Sequence, residues 1–460
     1  METRNTPLEI RTHTGFRERA SYGLYFVGQN IFYFLIMQFL MLFYTDYRFM
    51  SPAAVGLIFL VARVWDAVND PMFGIIVDKA HLKRGKFKPW IAAATCLVPL
   101  ATIAIFAMPE GMGATGQIAY ASVTYILFGM LYTVCDVPIF ALATAMTDNI
   151  QERTTIISIG RLAAMFAMLV LSITVMPIVL AAGWLQAAVA LSVIGFAVML
   201  PINIFAKERF VDKNAPAVSL KDIFRYLAGN KYLLIFYLSM IVSGCTNTVG
   251  AMINYVAKYM LGGENMIPVN MLAMTVPVLI IAATLPAITK RIDKFHIYIA
   301  GTIINIGGAL LGYFVGYGNL APYPVIAAFR GIGFGVSNVM AFMFAADCVE
   351  YGDFKTGKRA EGITFSIQTF ATKITGAVSG AICGIPMTAV GYDGALGVQG
   401  AATIDGMWKT YTLFPVIGFA LSLPLLWLYK LRDKDVQIMA LCNQKQITRE
   451  EAVSRLSRTY

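Results

Sequence analysis

Asp66, Asn69 and Asp70 lie in the nonapeptide RVWDAVNDP, residues 63–71. Their i, i+3, i+4 spacing puts them on one helix face, with Arg63 a turn earlier. In a second segment Thr133 and Asp136 stand three residues apart, and Phe140 continues their stripe. Two carboxylates a turn apart repel in a low-dielectric setting, so either one holds a proton or a cation sits between them. Hard cations take oxygen ligands of the Asp, Asn and Thr kind, without sulfur or imidazole. Asp66, Asn69, Asp70 and Thr133 therefore read as a site for a monovalent cation, Na⁺ or H⁺. A plainer alternative stays open, in which these acids only pair with Arg63, Arg161 or Lys373 and lock helices together.

The elements that must position these groups are membrane helices. Hydrophobic residues make up 58% of the chain and charged residues only 13%, against about 25% charge in soluble proteins. Apolar runs long enough to span the hydrocarbon fall near 21–46, 53–78, 89–109, 116–147, 155–180, 183–206, 232–261, 267–289, 295–317, 321–347, 361–391 and 406–430. The expected fold is an all-α membrane protein of twelve transmembrane helices. A charge near the centre of a span costs about 2.5–3.5 kcal/mol. Asp66, Asp70, Asp136, Arg161, Arg330 and Lys373 therefore need a reason to be there. Counted from the predicted cytoplasmic span ends, Asn30, Asp66, Asp70 and Asp136 lie roughly 12–18 Å deep, so oxygen-bearing groups from three helices meet at one height.

The net charge of +10 does not point to nucleic acid. With the N-terminus inside, most Lys and Arg fall in the tails and inner loops, Lys79, Lys83, Arg84, Lys86 and Lys88 among them. Only Arg48 falls in an outer loop. That is the positive-inside bias, and it sets both termini in the cytoplasm. The chain contains no HExxH, GxSxG or GxxxxGK[ST] motif, so an enzyme is not expected. The six cysteines form no CxxC pair and there are three scattered histidines, so no organic cofactor or zinc centre is expected.

The polar connection 207–231 divides the spans six and six. The expected organisation is an N-terminal bundle (1–206), a central cytoplasmic loop (207–231), a C-terminal bundle (232–431) and a cytoplasmic tail (432–460), with a site between related halves. In the tail, Thr448 and Glu451 have capping-box spacing and would open a short helix. The inner loops carry complementary charge: Asp78, Lys79, Arg84 and Lys86 in the first half, Asp347, Glu350, Asp353, Lys355 and Arg359 in the second. Ion pairs among them are expected to gate the inner side.

Three blocks carry a family likeness. ARVWDAVNDPMFGIIVDKAHLKRGKFKPWI (62–91) and DCVEYGDFKTGKRAEG (347–362) resemble the two loop signatures of the glycoside-pentoside-hexuronide:cation symporters, a branch of the major facilitator superfamily. VTYILFGMLYTVCDVPIFAL (123–142) resembles the fourth span of that family's melibiose-carrying members. The likeness implies a bacterial inner-membrane symporter, monomeric, that brings in a sugar, glycoside or hexuronide with a cation. It puts the cation ligands on Asp66, Asn69, Asp70 and Thr133. It puts sugar contacts on Asn30, Asp136, Phe140 and Arg161, with Gln368 and Lys373 from the second half. The melibiose carriers have aspartate at Asn30 and tryptophan at Phe140. Those departures, with Arg161, Arg330 and Lys373 at hand, open the way to an anionic glycoside. Phe140 or Trp65 would pack beside the sugar ring. Two other readings are a Na⁺-dependent lysolipid carrier, as in a related branch, and a membrane sugar sensor that does not transport.

Overall fold

The computed structural model describes residues 13–80, 82, 85–210, 226–318, 321–357, 361–458 and 460. Among these the chain is helical, without strands. The membrane helices are α1 (Phe16–Leu42), α2 (Pro52–Lys79), α3 (Lys88–Phe106), α4 (Ala114–Met146), α5 (Ile150–Ala182), α6 (Trp184–Phe205), α7 (Lys231–Cys245), α8 (Val249–Met260), α9 (Ile267–Ile288), α10 (Lys294–Val315), α11 (Tyr323–Thr356), α12 (Glu361–Ala389) and α13 (Ala401–Leu428). The tail adds α14 (Asp433–Asn443) and α15 (Arg449–Arg455). A hydrocarbon interior cannot satisfy backbone amides, so apolar runs of this length close their hydrogen bonds within themselves.

Eleven segments among the described residues are long and apolar enough to cross a membrane. The span expected at 361–391 is the 29-residue α12, which carries Thr364, Gln368, Thr372, Lys373, Thr375 and Ser379. The span expected at 232–261 is not one helix. It breaks at Thr246–Asn247–Thr248 into α7 and α8. The neighbours explain why the break is tolerated. Ser379 donates its hydroxyl to the freed Asn247 carbonyl at 2.6 Å, and Thr248 donates to the Thr410 carbonyl at 2.7 Å. Gly418 lets α13 come close; a Cβ there would stand only 1.7 Å from Thr246 Oγ1.

The chain forms two compact units. One runs to Leu40 and resumes at Val64; the other takes Met41–Arg63 and resumes in the second half of the chain. Residues 41–63 therefore do not cluster with the helices that flank them in sequence. Their contacts give the reason. Phe43–Tyr47 is a π-helical turn, and its Asp46 carboxylate, 6% exposed, is bound by residues of the second unit. Lys258 pairs with it at 2.7 Å, and Tyr259 donates to it at 2.8 Å. The Tyr392 hydroxyl also donates to Asp46. Lys258 bridges on to Glu264 at 2.9 Å, which accepts from the Tyr47 hydroxyl at 2.6 Å.

Each half ties its last membrane span to its third in the same way. After α6, Glu208 accepts three backbone N–H groups at the start of α3: Lys86 at 2.7 Å, Phe87 at 2.9 Å and Lys88 at 2.7 Å. After α13, Asp433 accepts the Lys294 N–H that opens α10, at 3.0 Å. Both are acids on the positive end of a helix dipole. The side chain of the first residue also reaches back in both units: Lys88 to the Ala206 carbonyl at 2.7 Å, and Lys294 to Asp433 at 3.4 Å. In the tail, Thr448 caps α15 by accepting from the Glu451 N–H at 3.2 Å, as its spacing suggested. The Glu451 side chain pairs forward with Arg455.

Candidate functional site

The part of α2 from Val64 onward and α4, both in the first unit, bring together the four residues expected to hold a cation. Asn69 donates its amide to Thr133 Oγ1 at 3.0 Å. The Thr133 hydroxyl faces two acceptors, Asp70 Oδ1 at 2.7 Å and the Gly129 carbonyl one turn back at 3.1 Å. Thr133 is 3% exposed and Asp66 4%. Asp66 enters the same constellation through Gly129: a Cβ at that position would stand 2.8 Å from Asp66 Oδ1. A glycine here is what lets the α2 carboxylate lie against the α4 backbone. Two carboxylates, an amide, a hydroxyl and a main-chain carbonyl thus converge without sulfur or imidazole. This all-oxygen set fits a hard monovalent cation.

One turn further along α4 the chemistry changes. Gln29 of α1 donates its amide to Asp136 Oδ1 at 2.6 Å. Asp136 is half-buried, so the carboxylate stays within reach of a ligand. Asn30 donates into its own helix, to the Phe26 carbonyl at 2.8 Å. Phe26 meets Phe140 edge-on at 5.4 Å, and the Arg161 guanidinium lies 5.2 Å from the Phe140 ring centre. Arg161 itself is exposed. A carboxylate, an amide, an aromatic edge and a guanidinium from α1, α4 and α5 make a set that can accept, donate and stack against a hydroxylated ring. Trp65 is 39% exposed and shares its side of α2 with the exposed Val61, Val64, Val68 and Met72, an apolar stripe.

Three expected site residues belong to the second unit. Gln368 is 3% exposed, and Lys373, a turn and a half further along α12, is half-buried. Arg330 of α11 is enclosed in the interior of this unit, 1% exposed. Its guanidinium lies 4.2 Å from the Tyr411 ring centre, and Nη2 donates to the Tyr411 carbonyl at 3.0 Å.

Of the expected gate residues, Arg84, Arg359 and the Asp78 side chain lie outside the described residues. Asp347 pairs with Lys294 at 2.5 Å, and Glu350 accepts from Asn443 at 2.9 Å. Both partners are in the second unit, and neither was singled out from the sequence. Asp353 is half-buried near the end of α11.

Sequence reasoning also missed Gln29 and Asp46. Gln29 adjoins Asn30, and an amide one residue from a noted one carries no distinct signal. Asp46 fell at the end of the first span, where an acid is ordinarily solvated.

Residues 21–433 match the family described as MFS/sugar transport protein. The chain is 30% identical to the isoprimeverose transporter of Lactiplantibacillus pentosus over 446 residues, 93% of this chain and 91% of that one. It is 28% identical to the uncharacterized symporter YjmB of Bacillus subtilis (strain 168), over 95% of this chain and 97% of the relative. It is 26% identical to a glucuronide carrier protein homolog of Escherichia coli (strain K12), over 97% and 98%. Among solved structures, the nucleoside transporter NupG aligns with a TM-score of 0.62 at 12% identity, covering 90% of this chain and all of that one. A bacterial homolog of the human lysosomal transporter Spinster aligns at 0.65 and 11%, covering 90% and 95%. At such identities these two speak for the fold alone.

Proposed function

We propose, for a chain that belongs to the MFS/sugar transport protein family, the glycoside-pentoside-hexuronide type of carrier that its loops resemble, that it imports a sugar or glycoside together with Na⁺ or H⁺ by alternating access across a bacterial inner membrane. The observation that carries the reading is the run of chemistry along α4. Gly129 and Thr133 address the paired acids of α2, and Asp136, three residues on, addresses α1 and the aromatic edge of Phe140. One helix therefore serves both an oxygen cage and a hydroxyl-binding set.

Asp66 and Asp70 would hold the cation, with Asn69, Thr133 and the Gly129 carbonyl completing the oxygen set. Asp136 would accept from sugar hydroxyls and Arg161 would donate to them. A cation on Asp66 and Asp70 fixes α2 against α4 and so sets the position of Asp136. Such coupling is typically about 1–3 kcal/mol, and it is reciprocal: sugar must tighten the cation by the same factor. The names of two relatives, an isoprimeverose transporter and a glucuronide carrier homolog, support a glycoside or uronide as cargo. Arg161 beside Phe140 suits the carboxylate of a uronide.

Counterflow in proteoliposomes with neutral and uronic glycosides, each with and without Na⁺, tests this directly. Exchange of at least one glycoside, faster with Na⁺ or with an inward proton gradient, is expected. Exchange that responds to neither ion would remove the coupling. Absence of exchange for the whole panel would remove the carrier reading.

A further inference from the structure

Three cations that the transport site does not use stand around one hollow of the second unit. Lys355 closes α11, while Arg449 and Arg458 come from the tail; they line a cavity of about 290 Å³. Phe354 and Tyr460 supply aromatic walls, and Val453 and Leu456 an apolar side. The Arg449 guanidinium lies 5.3 Å from the Phe354 ring centre, and Lys355 Nζ donates to the Tyr460 main-chain oxygen at 2.8 Å.

The hollow has fixed walls. Asp435, 1% exposed, accepts from the Ser457 N–H at 2.8 Å and from the Ser457 and Tyr460 hydroxyls. Asn443 donates to the Glu350 carbonyl at 3.0 Å and to its carboxylate at 2.9 Å. Ala452 and Met439 are fully buried beneath. The tail is thus folded onto α11, holding Arg449 and Arg458 toward Lys355. Two acids of the tail are already engaged: Asp435 by Ser457 and Tyr460, with the charge of Arg458 beside it, and Glu451 by Arg455.

The place of the hollow narrows its ligand. α11 has 34 residues and is about 50 Å long, against a hydrocarbon thickness of about 30 Å. Its last residues, Phe354 and Lys355, therefore stand clear of the bilayer core, on the side to which the positive-inside bias assigns the cytoplasm. The volume is at the small end of ligand pockets. Guanidinium forks and an ammonium are the groups that bind phosphate. Flanking aromatic rings suit the apolar face of a sugar.

We propose that this cavity binds a small phosphate ester, of the size of a monosaccharide phosphate, on the cytoplasmic side. A kinase that acts on the imported sugar would generate such a ligand, so the cavity would report downstream supply to the carrier; this last step rests on the sugar-carrier reading above, whereas the binding itself does not.

Calorimetric titration of the full chain in phosphatidylcholine nanodiscs tests it without any need for transport. The probes are glucose 6-phosphate, inorganic phosphate and glucose. Glucose 6-phosphate should bind, inorganic phosphate should bind more weakly, and glucose should give no heat at this site. Arg449→Gln with Arg458→Gln should weaken glucose 6-phosphate by about tenfold or more, and Lys355→Gln alone by less, with thermal unfolding of the variants showing that the fold is retained. Absence of heat from glucose 6-phosphate at millimolar concentration overturns the proposal. So does equal affinity in wild type and all variants. Loss of glucose 6-phosphate binding in discs containing phosphatidylglycerol identifies a lipid headgroup as occupant and overturns the soluble source. Counterflow judges the sugar-carrier reading separately, so failure of one can be told from failure of the other.

Discussion

The Thr133 hydroxyl donates to Asp70 Oδ1 across 2.7 Å while its oxygen accepts from the Asn69 amide at 3.0 Å. Both contacts join α2 to α4, and both occupy an oxygen that a cation would also use. Thr133→Val keeps the shape and removes the oxygen. A hydrogen bond to a charged group is worth about 1.5–3 kcal/mol, which corresponds to roughly a 10–100-fold loss of cation affinity. Thr133→Ser should restore most of it. Na⁺-dependent fluorescence or calorimetry on the purified protein would read the series, and an unchanged affinity in Thr133→Val would take Thr133 out of the site.

Gly129→Ala adds one methyl group 2.8 Å from Asp66 Oδ1. The carboxylate must move, because the backbone of α4 cannot. Cation affinity should fall by tenfold or more on the same scale, while sugar exchange in the absence of the coupling ion stays within about twofold. An Ala variant that binds cation normally would show that Asp66 is not a ligand.

Gln29 holds Asp136 with a neutral donor at 2.6 Å. Gln29→Glu replaces that donor with a second negative charge. The expected outcome is a loss of sugar affinity far larger than that of Gln29→Leu, with cation binding to Asp66 and Asp70 largely spared. Sugar titration of both variants, in saturating Na⁺, provides the comparison.

Asp46 and Lys258 form a largely enclosed ion pair. Removing one partner of a buried pair costs about 3–5 kcal/mol. Asp46→Asn should lose somewhat less than this range, because Lys258 keeps Glu264, and Lys258→Met should lose more, because two carboxylates are then left facing each other. The double variant should cost less than the sum of the two. Denaturant or thermal unfolding in detergent gives all three values.

The tail offers a pH test. Burial pushes the Asp435 carboxyl up, but hydrogen bonds from the Ser457 hydroxyl and N–H and from Tyr460 outweigh it and hold the group below its ordinary range. A depressed carboxyl contributes stability that is fully present above the ordinary carboxylate pKa, about 3.9, and is lost as pH falls through the lower, folded value. Protease resistance of the tail should therefore be flat through neutral and mildly acidic pH and should fall as pH drops from about 3.9 toward the folded value. Asp435→Asn should expose the tail to cleavage at neutral pH.

The parts of the structure that the sequence made legible are those written within one helix. Asp66, Asn69 and Asp70 could be placed on one face because a helix fixes their relation locally, and long apolar runs announced the spans. Thr133 was reached through its spacing from Asp136, its hydroxyl oxygen and the resemblance, and α4 does bring it to α2. What stayed hidden depends on partners distant in the chain. The break at Thr246–Asn247–Thr248 has no proline to mark it and stands only because Ser379, Gly418 and Thr410 come to meet it. Asp46 is ordinary until Lys258, Tyr259 and Tyr392 surround it. Asp347 and Glu350 were read as gate charges from the complementary charge of the inner loops, and nothing local in the sequence announced that they also meet Lys294 and Asn443.

Glu208 and Asp433 bear on ancestry. Each stands just past the sixth span of its own half and caps the third, and in both cases the helix of that third span opens with a lysine. The two chain segments around them share almost no residue order. An early gene duplication would leave this kind of trace: the job of neutralising a particular helix start outlives the letters that first did it. Searches for kinship between the halves of such carriers should therefore compare which helix ends are capped, and by what charge, before they compare identities.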